Sequence, residues 1–238
     1  MAPTIVLITG ANRGIGKGIL ELYLQKPNHT VIAANRDPSH PTSNALADLP
    51  KAEGTTLEVI KLDALSPTDP TEAVKDLAAK GINHVDILVA NAGIALSWPK
   101  VSEVKVEEIQ KHIDVDYYGF IHLYQAFRLV LKEAQAPKLV TIGNFITLQN
   151  AAYAPRKAVL HWCTKAISAE DPWLNAFILD PGWVQTELGN RGADSFGLEK
   201  AAITVEDSVS GVVNVIDAST LQTHSGKLFK YDGNEEPW

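Results

Sequence analysis

Tyr153 and Lys157 stand four residues apart in Tyr153-Ala154-Pro155-Arg156-Lys157, a stretch whose continuation is patterned as a helix. Four residues make about one helical turn, so the phenol and the ammonium share a face. Pro155 is compatible with a first helical turn. A phenol with an ordinary pKa near ~10 is poorly matched to proton transfer at neutral pH. A neighbouring ammonium favours the phenolate and brings that pKa down. Such a pair suits delivery of a proton to an alkoxide developing on a substrate carbonyl. A different chemistry belongs to Thr9-Gly10-Ala11-Asn12-Arg13-Gly14-Ile15-Gly16, which follows the apolar run Thr4-Ile5-Val6-Leu7-Ile8. Glycines at 10, 14 and 16 leave no Cβ between the backbone and an anion. The N–H groups of the helix start that follows can then point at a pyrophosphate. The spacing, G-x-x-x-G-x-G, differs from the common G-x-G-x-x-G fingerprint.

These residues need a frame. Apolar runs at 4–9, 30–35, 56–62, 85–90, 138–143, 174–180 and 227–231 alternate with helical patterns at about 15–26, 42–49, 70–80, 103–134, 155–168 and 205–219. Ile5 to Ile8, Ile87 to Ala90 and Leu139 to Ile142 are apolar without strict alternation, which suits strands covered on both faces. Repeated βα alternation predicts a doubly wound, mainly parallel sheet of seven strands with helices on both sides, in one domain spanning 1–238. Asp69-Pro70-Thr71-Glu72 and Thr204-Val205-Glu206-Asp207 read as helix starts, each with a cap residue and first-turn acids. The segment 185–204 breaks the alternation and is read as a substrate lid.

The 238 residues are 45% hydrophobic and carry a net charge of −7, with no basic run. That balance argues against a nucleic-acid or anionic-membrane partner. No apolar stretch approaches the ~20 residues that cross a bilayer. A start at Met1-Ala2-Pro3 that runs straight into a strand carries no secretory signature, so a cytoplasmic protein is expected. Cys163 is the single cysteine, which excludes an internal disulfide and reads as a buried structural thiol. The histidines at 29, 40, 84, 112, 122, 161 and 224 show no metal spacing and are expected on the surface or on helix faces.

The glycine loop, Asn91-Ala92-Gly93, Tyr153 with Lys157, and Pro181-Gly182 occur in a fixed order over essentially the whole chain. In that order they resemble the short-chain dehydrogenase/reductase family. The tail from Ser225 to Trp238 resembles the carbonyl-reductase branch, and the whole chain resembles fungal ketoreductases of polyketide pathways. The resemblance implies a nicotinamide cofactor held by Gly10, Asn12, Arg13, Gly14, Ile15 and Gly16. It further implies that Asp63 bonds the adenine and that Asn91, Ala92 and Gly93 pass close to a ribose. Lys157 would bond ribose hydroxyls beside Tyr153, and Pro181, Gly182, Val184 and Thr186 would flank the nicotinamide. The second strand ends in Asn35-Arg36 rather than in an acid. Arg36 with Arg13 makes a cradle for a 2′-phosphate, so NADP(H) is expected rather than NAD(H).

Two positions depart from the family pattern. The family carries a serine about a dozen residues before its tyrosine, where it polarises the substrate carbonyl. Here no serine occurs between Ser102 and Ser168, and Gly143-Asn144 stands where the serine is expected. Either the serine loop is absent from the chain or a segment between Gly143 and Tyr153 is missing from the sequence. Asn144 is the candidate replacement, with Thr147 more distant and Thr141 placed in the strand. Asp116 occupies the position of a family asparagine that holds a water linking the lysine to solvent. The expected activity is NADPH-dependent reduction of a ketone or aldehyde, an aromatic polyketide ketone among them, with Tyr153 as proton donor. The competing reading is a catalytically silent NADP(H)-binding sensor or partner protein. Trp98, Phe145, Trp183, Leu188 and Phe196 are read as an apolar substrate rim. Pairing as a homodimer or homotetramer would use the apolar run from Tyr117 to Leu131.

Overall fold

A computed structural model describes residues 2–144 and 150–237. The strands are β1 (Thr4–Thr9), β2 (His29–Asn35), β3 (Thr56–Lys61), β4 (Ile87–Ala90), β5 (Lys138–Ile142), β6 (Asn175–Asp180), β7 (Leu228–Lys230) and β8 (Glu235–Glu236). They form one sheet in the order β3-β2-β1-β4-β5-β6-β7-β8. Pairings through β7 are parallel, and β8 adds antiparallel to β7. This two-residue strand raises the count from the expected seven to eight; its Glu235-Glu236 sequence has no apolar signal to announce it. The order reverses between β1 and β4. In open α/β sheets the ligand crevice lies at the carboxyl ends of the strands beside that reversal.

The helices are α1 (Gly14–Leu24), α2 (Pro41–Asn44), α3 (Asp69–Ala79), α4 (Val106–Ile113), α5 (Gly119–Lys132), α6 (Ala154–Glu170), α7 (Glu187–Ser195), α8 (Val205–Ala218) and α9 (Leu221–His224). Side chains of β1, α1 and α8, among them Val6, Ile8, Ile19, Leu20, Val212 and Ile216, fill one face of the sheet. Leu7, Leu77, Phe120, Phe127, Leu160 and Ile167 fill the other. Val6, Leu7 and Ile8 are all fully buried, which explains why β1 reads as a continuous apolar run. Asp171, past the end of α6, ties that helix to α5. Its carboxylate accepts from Arg128 Nε at 2.7 Å, from Trp173 Nε1 at 3.0 Å and from the Tyr124 hydroxyl.

The single helical stretch expected over 103–134 is α4 and α5 joined by a π-helical turn at Asp114–Tyr118. Such a turn re-aims side chains within an otherwise continuous helix and is frequent at functional sites. Asp116 sits in it. Thr204 caps α8 by accepting the Asp207 N–H at 3.1 Å, as expected. Asp69 does not cap α3. Its buried carboxylate instead accepts from the Asp63 N–H at 3.0 Å and the Ser66 hydroxyl at 2.7 Å, which fixes the turn after β3. Within 185–204 the chain forms α7 and returns as a bridge from Ile203 to Val184. Among the described residues, no helix is long and apolar enough to cross a membrane.

Candidate active site

Close packing explains the glycine loop. Gly10 has φ +64, and a Cβ there would stand 3.1 Å from the Ala92 Cα. A Cβ on Gly16 would stand 2.4 Å from both Asn91 Nδ2 and the Gly10 carbonyl oxygen. Asn91 Nδ2 donates to the Thr9 carbonyl at 2.9 Å and the Gly10 carbonyl at 3.2 Å. The Thr9 hydroxyl accepts the N–H groups of Asn91 at 3.0 Å and Ala92 at 2.9 Å. Asn91-Ala92-Gly93 is therefore a clamp on the loop. Among the described residues no side chain caps α1, so the N–H groups of Gly14, Ile15 and Gly16 keep the helix-start geometry that binds anions. The cradle fits a pyrophosphate.

Asn35 is 1% exposed and both ends of its amide are committed. Its Oδ1 accepts the Ala11 N–H at 2.9 Å and its Nδ2 donates to Ser43 Oγ at 3.2 Å. It fastens the loop to β2, a role that a strand-end position alone does not reveal. Arg36 is exposed. Arg13 pairs with Glu187 at 3.0 Å, both side chains about 70% exposed, and so ties the loop to α7. Asn12 Nδ2 donates to Thr42 Oγ1 at 2.7 Å. Asp63 Oδ1 accepts the Leu65 N–H at 3.0 Å.

At the end of β6, Gly182 has φ +77 and donates its N–H to Asp180 Oδ1 at 2.7 Å. Thr186 caps α7 through the Gly189 N–H at 3.0 Å, and Val184 is buried under the bridge to Ile203. Trp183 meets Phe196 edge to face at 6.1 Å. Arg191 of α7 donates to the Ala95 carbonyl at 2.7 Å, and Gly192 lies against the Trp98 ring. The expected rim of Trp98, Trp183, Leu188 and Phe196 thus borders the same end of the sheet. Phe145 and Thr147 lie outside the described residues. Thr141 is fully buried, accepts from the Thr164 hydroxyl at 2.8 Å, and belongs to the core.

Tyr153, Lys157, Asn144 and Asp116 come together at the ends of β4 and β5. Tyr153 takes the cap position of α6, its N–H donating to Asn150 Oδ1 at 3.2 Å, and the nearby Asn144 side chain helps to lower its phenol's pKa. The expected Tyr153–Lys157 partnership differs in the structure. Lys157 Nζ is 6.0 Å from the phenol ring centroid and donates to the Ile142 carbonyl at 2.6 Å. Burial, with Arg156 beside it, lowers its pKa to about 7. Arg156 is the nearer cation, its guanidinium 4.0 Å above the Tyr153 ring. Only 2% exposed, it pairs with the fully buried Asp116 carboxylate. Burial drives the Tyr153 phenol up, and Arg156 is the largest of the influences that pull it down. Burial likewise pushes the Asp116 carboxyl up, against Arg156 and Lys157.

Two histidines expected on the surface or on helix faces lie on helix faces that are buried. His161 Nε2 accepts the Asn144 N–H at 3.4 Å, and burial lowers its pKa to about 4, so it stays neutral and supports the end of β5. His112 Nε2 accepts the Leu96 N–H at 3.1 Å while Nδ1 meets the Glu108 carbonyl at 2.7 Å. Cys163 is buried with a raised pKa, as a structural thiol should be. Among the described residues no cluster of His, Cys, Asp or Glu is arranged to hold a metal. Arg156 is the residue that sequence reasoning passed over. Its signal was a basic residue inside the Tyr-to-Lys motif, paired with an acid where the family carries an amide.

The family profile described as short chain dehydrogenase matches residues 4–194. The chain belongs to the short-chain dehydrogenase family. Norsolorinic acid ketoreductases of two fungi are similar to it over nearly their whole length. That of Dothistroma septosporum is 39% identical over 250 positions, covering 99% of this chain and 92% of the relative. That of Aspergillus parasiticus is 39% identical over 248 positions, covering 99% and 91%. Both alignments are longer than the 238 residues of this short-chain dehydrogenase, so the relatives carry positions with no counterpart in it. An NADPH-bound carbonyl reductase from chicken fatty liver superposes with a TM-score of 0.85, at 25% identity and full coverage of both chains. The carbonyl reductase Sniffer of D. melanogaster shares the fold, with a TM-score of 0.83 at 23% identity and full coverage.

Proposed function

We propose that this short-chain dehydrogenase reduces a ketone or aldehyde to an alcohol with NADPH, acting as a single cofactor-binding domain over 1–238. The observation that carries the reading is the meeting of Tyr153, Lys157 and Asn144 at the strand ends, across from an uncapped α1 start. Bound NADPH supplies the hydride. The N–H groups of Gly14, Ile15 and Gly16 hold the pyrophosphate, and Arg36 with Arg13 meets the 2′-phosphate. Asp63 serves the adenine, while Pro181, Gly182, Val184 and Thr186 flank the nicotinamide. Lys157 turns from the Ile142 carbonyl to ribose hydroxyls. Tyr153 gives its proton to the alkoxide oxygen, and Asn144 donates to the same oxygen in place of the family serine.

The apolar rim of Trp98, Trp183, Leu188 and Phe196 favours a large, flat substrate, and the fungal relatives point to an aromatic polyketide ketone. Reductase names along nearly the full length favour an enzyme over a silent NADP(H)-binding protein. The test is reduction of a panel of aromatic ketones with NADPH and with NADH by the wild type and Tyr153→Phe. NADPH-dependent turnover should fall by ~10²–10⁴ in the variant, while quenching of tryptophan fluorescence by NADPH persists. Equal turnover by both proteins would remove Tyr153 from the reaction.

A further inference from the structure

His161 follows Tyr153 and Lys157 at steps of four residues, which places the three along one side of α6. Polar contacts join that side of the helix to β5. Lys157 Nζ donates to the Ile142 carbonyl at 2.6 Å, and the Thr164 hydroxyl donates to Thr141 Oγ1 at 2.8 Å. Both hold the strand itself. His161 Nε2 accepts the Asn144 N–H at 3.4 Å and so holds the residue beyond its end. The ring is buried and, with a pKa lowered to about 4, uncharged at neutral pH. A neutral imidazole that accepts through Nε2 carries its proton on Nδ1. Gly143 lets the ring approach. A Cβ there would stand 2.5 Å from His161 Nε2 and closer still to Ile178 Cγ2. A serine at 143 would need that same space, so the glycine at the family's serine position and the histidine are sterically matched.

We propose that His161 is a positioning residue: it holds the Asn144 backbone so that the Asn144 amide meets the substrate carbonyl oxygen in place of the family serine. This role rests on the reading of Asn144 as the donor to that oxygen, and it leaves Tyr153 and Lys157 with the tasks proposed above. A donor is effective only when its backbone is fixed, because a misplacement of about 1 Å can cost ~10²-fold in rate. Asn144 needs such a hold from outside the sheet. The ladder between β5 and β6 ends with the Gly143 N–H on the Leu179 carbonyl at 2.9 Å. One residue later the acceptor is His161. The Asn144 side chain lies near enough to the Tyr153 phenol to influence its ionisation, so the residue held by His161 and the proton donor border one space.

The proton on His161 tests the contact without cofactor or turnover. Long-range ¹H–¹⁵N correlation spectra of the ¹⁵N-labelled full-length chain at neutral pH separate the two neutral tautomers, with His161 assigned by its loss in His161→Gln. The Nδ1–H form is expected, and the Nε2–H form would overturn the assignment. The consequence is read in NADPH-dependent reduction of aromatic ketones by the wild type, His161→Leu, His161→Gln, Asn144→Ala and the double variant His161→Leu/Asn144→Ala. Leucine fills the space without an acceptor, and glutamine can restore one. His161→Leu should lower kcat by ~10–10²-fold with the Kd for NADPH within about twofold, and His161→Gln should recover most of the loss. His161→Asn, with a shorter amide, replaces the leucine variant if that one does not fold. The double variant should be no slower than Asn144→Ala, itself slowed by ~10²–10³-fold. Losses that multiply in the double variant, or a His161→Leu defect confined to NADPH affinity, would mark a merely structural histidine and overturn the role. A wild type that reduces no ketone would instead sink the reductase reading, and this role with it, so the two failures are distinguishable.

Discussion

Replacing Lys157 by methionine removes a buried amine and keeps most of its aliphatic volume. The side chain is 5% exposed, and its pKa lies at about 7 in the fold against ~10.4 in an unfolded chain. Between those values the unfolded chain binds the extra proton and the folded chain does not. Stability therefore rises with pH across that window. The penalty is absent above ~10.4, grows by about 1.4 kcal/mol per unit as pH falls, and is complete below the folded pKa of about 7. At neutral pH it amounts to about 4 kcal/mol. Methionine escapes this penalty but leaves the Ile142 carbonyl, which accepts Lys157 Nζ at 2.6 Å, without that donor. Losing a buried partner costs ~1–3 kcal/mol. Lys157→Met without cofactor should therefore be about 1–3 kcal/mol more stable than wild type at pH 7 and less stable at pH 10. Urea unfolding, followed by tryptophan fluorescence in half-unit steps from pH 7 to 10, measures the difference. A stability difference that stays flat across those steps would refute a burial-depressed lysine. The variant should also lose ketone reduction, which would make Lys157 a functional group held at the expense of stability.

Gly16→Ala gains about 1 kcal/mol of helix propensity but drives a methyl into Asn91 and the Gly10 carbonyl. We expect NADPH affinity to fall by ~10-fold or more through loss of the loop clamp, read by fluorescence titration. If Arg36 meets the 2′-phosphate as proposed, Arg36→Ala should raise the KM for NADPH by roughly tenfold and leave that for NADH nearly unchanged. Equal effects on both cofactors would remove Arg36 from the phosphate site. Thr204→Ala deletes the α8 cap that accepts the Asp207 N–H at 3.1 Å. It should cost about 1 kcal/mol, or ~2–4 °C in Tm by calorimetry.

Most of the scaffold was legible before any coordinates. Apolar runs without alternation marked buried parallel strands, and the glycine loop followed the first of them because a phosphate cradle needs a strand end and a helix start. Local pattern failed where the deciding contact was remote. Glu235-Glu236 forms a strand only because β7 offers an edge. Asn35 reads only as the strand end beside the cofactor until Ala11 and Ser43 are seen to occupy its amide. For His112 and His161 the choice between surface and helix face stayed open, because a histidine's burial depends on acceptors and donors brought from other elements.

The sequence by itself determined the family, the parallel sheet and the glycine loop, and it nominated Tyr153, Lys157, Asn144 and Asp116 as members of one site. Those follow from spacing along the chain and from residue chemistry. Tertiary structure alone decided which charge serves which group. Tyr153, Arg156 and Lys157 are near neighbours on one helix, and helical periodicity pairs the first with the last. The packing of α6 against β5 and the π-helical turn turns Lys157 to Ile142 and Arg156 to Asp116 and the phenol ring. Coulomb interactions depend on separation and on exclusion of water, and neither is written in the spacing of a motif.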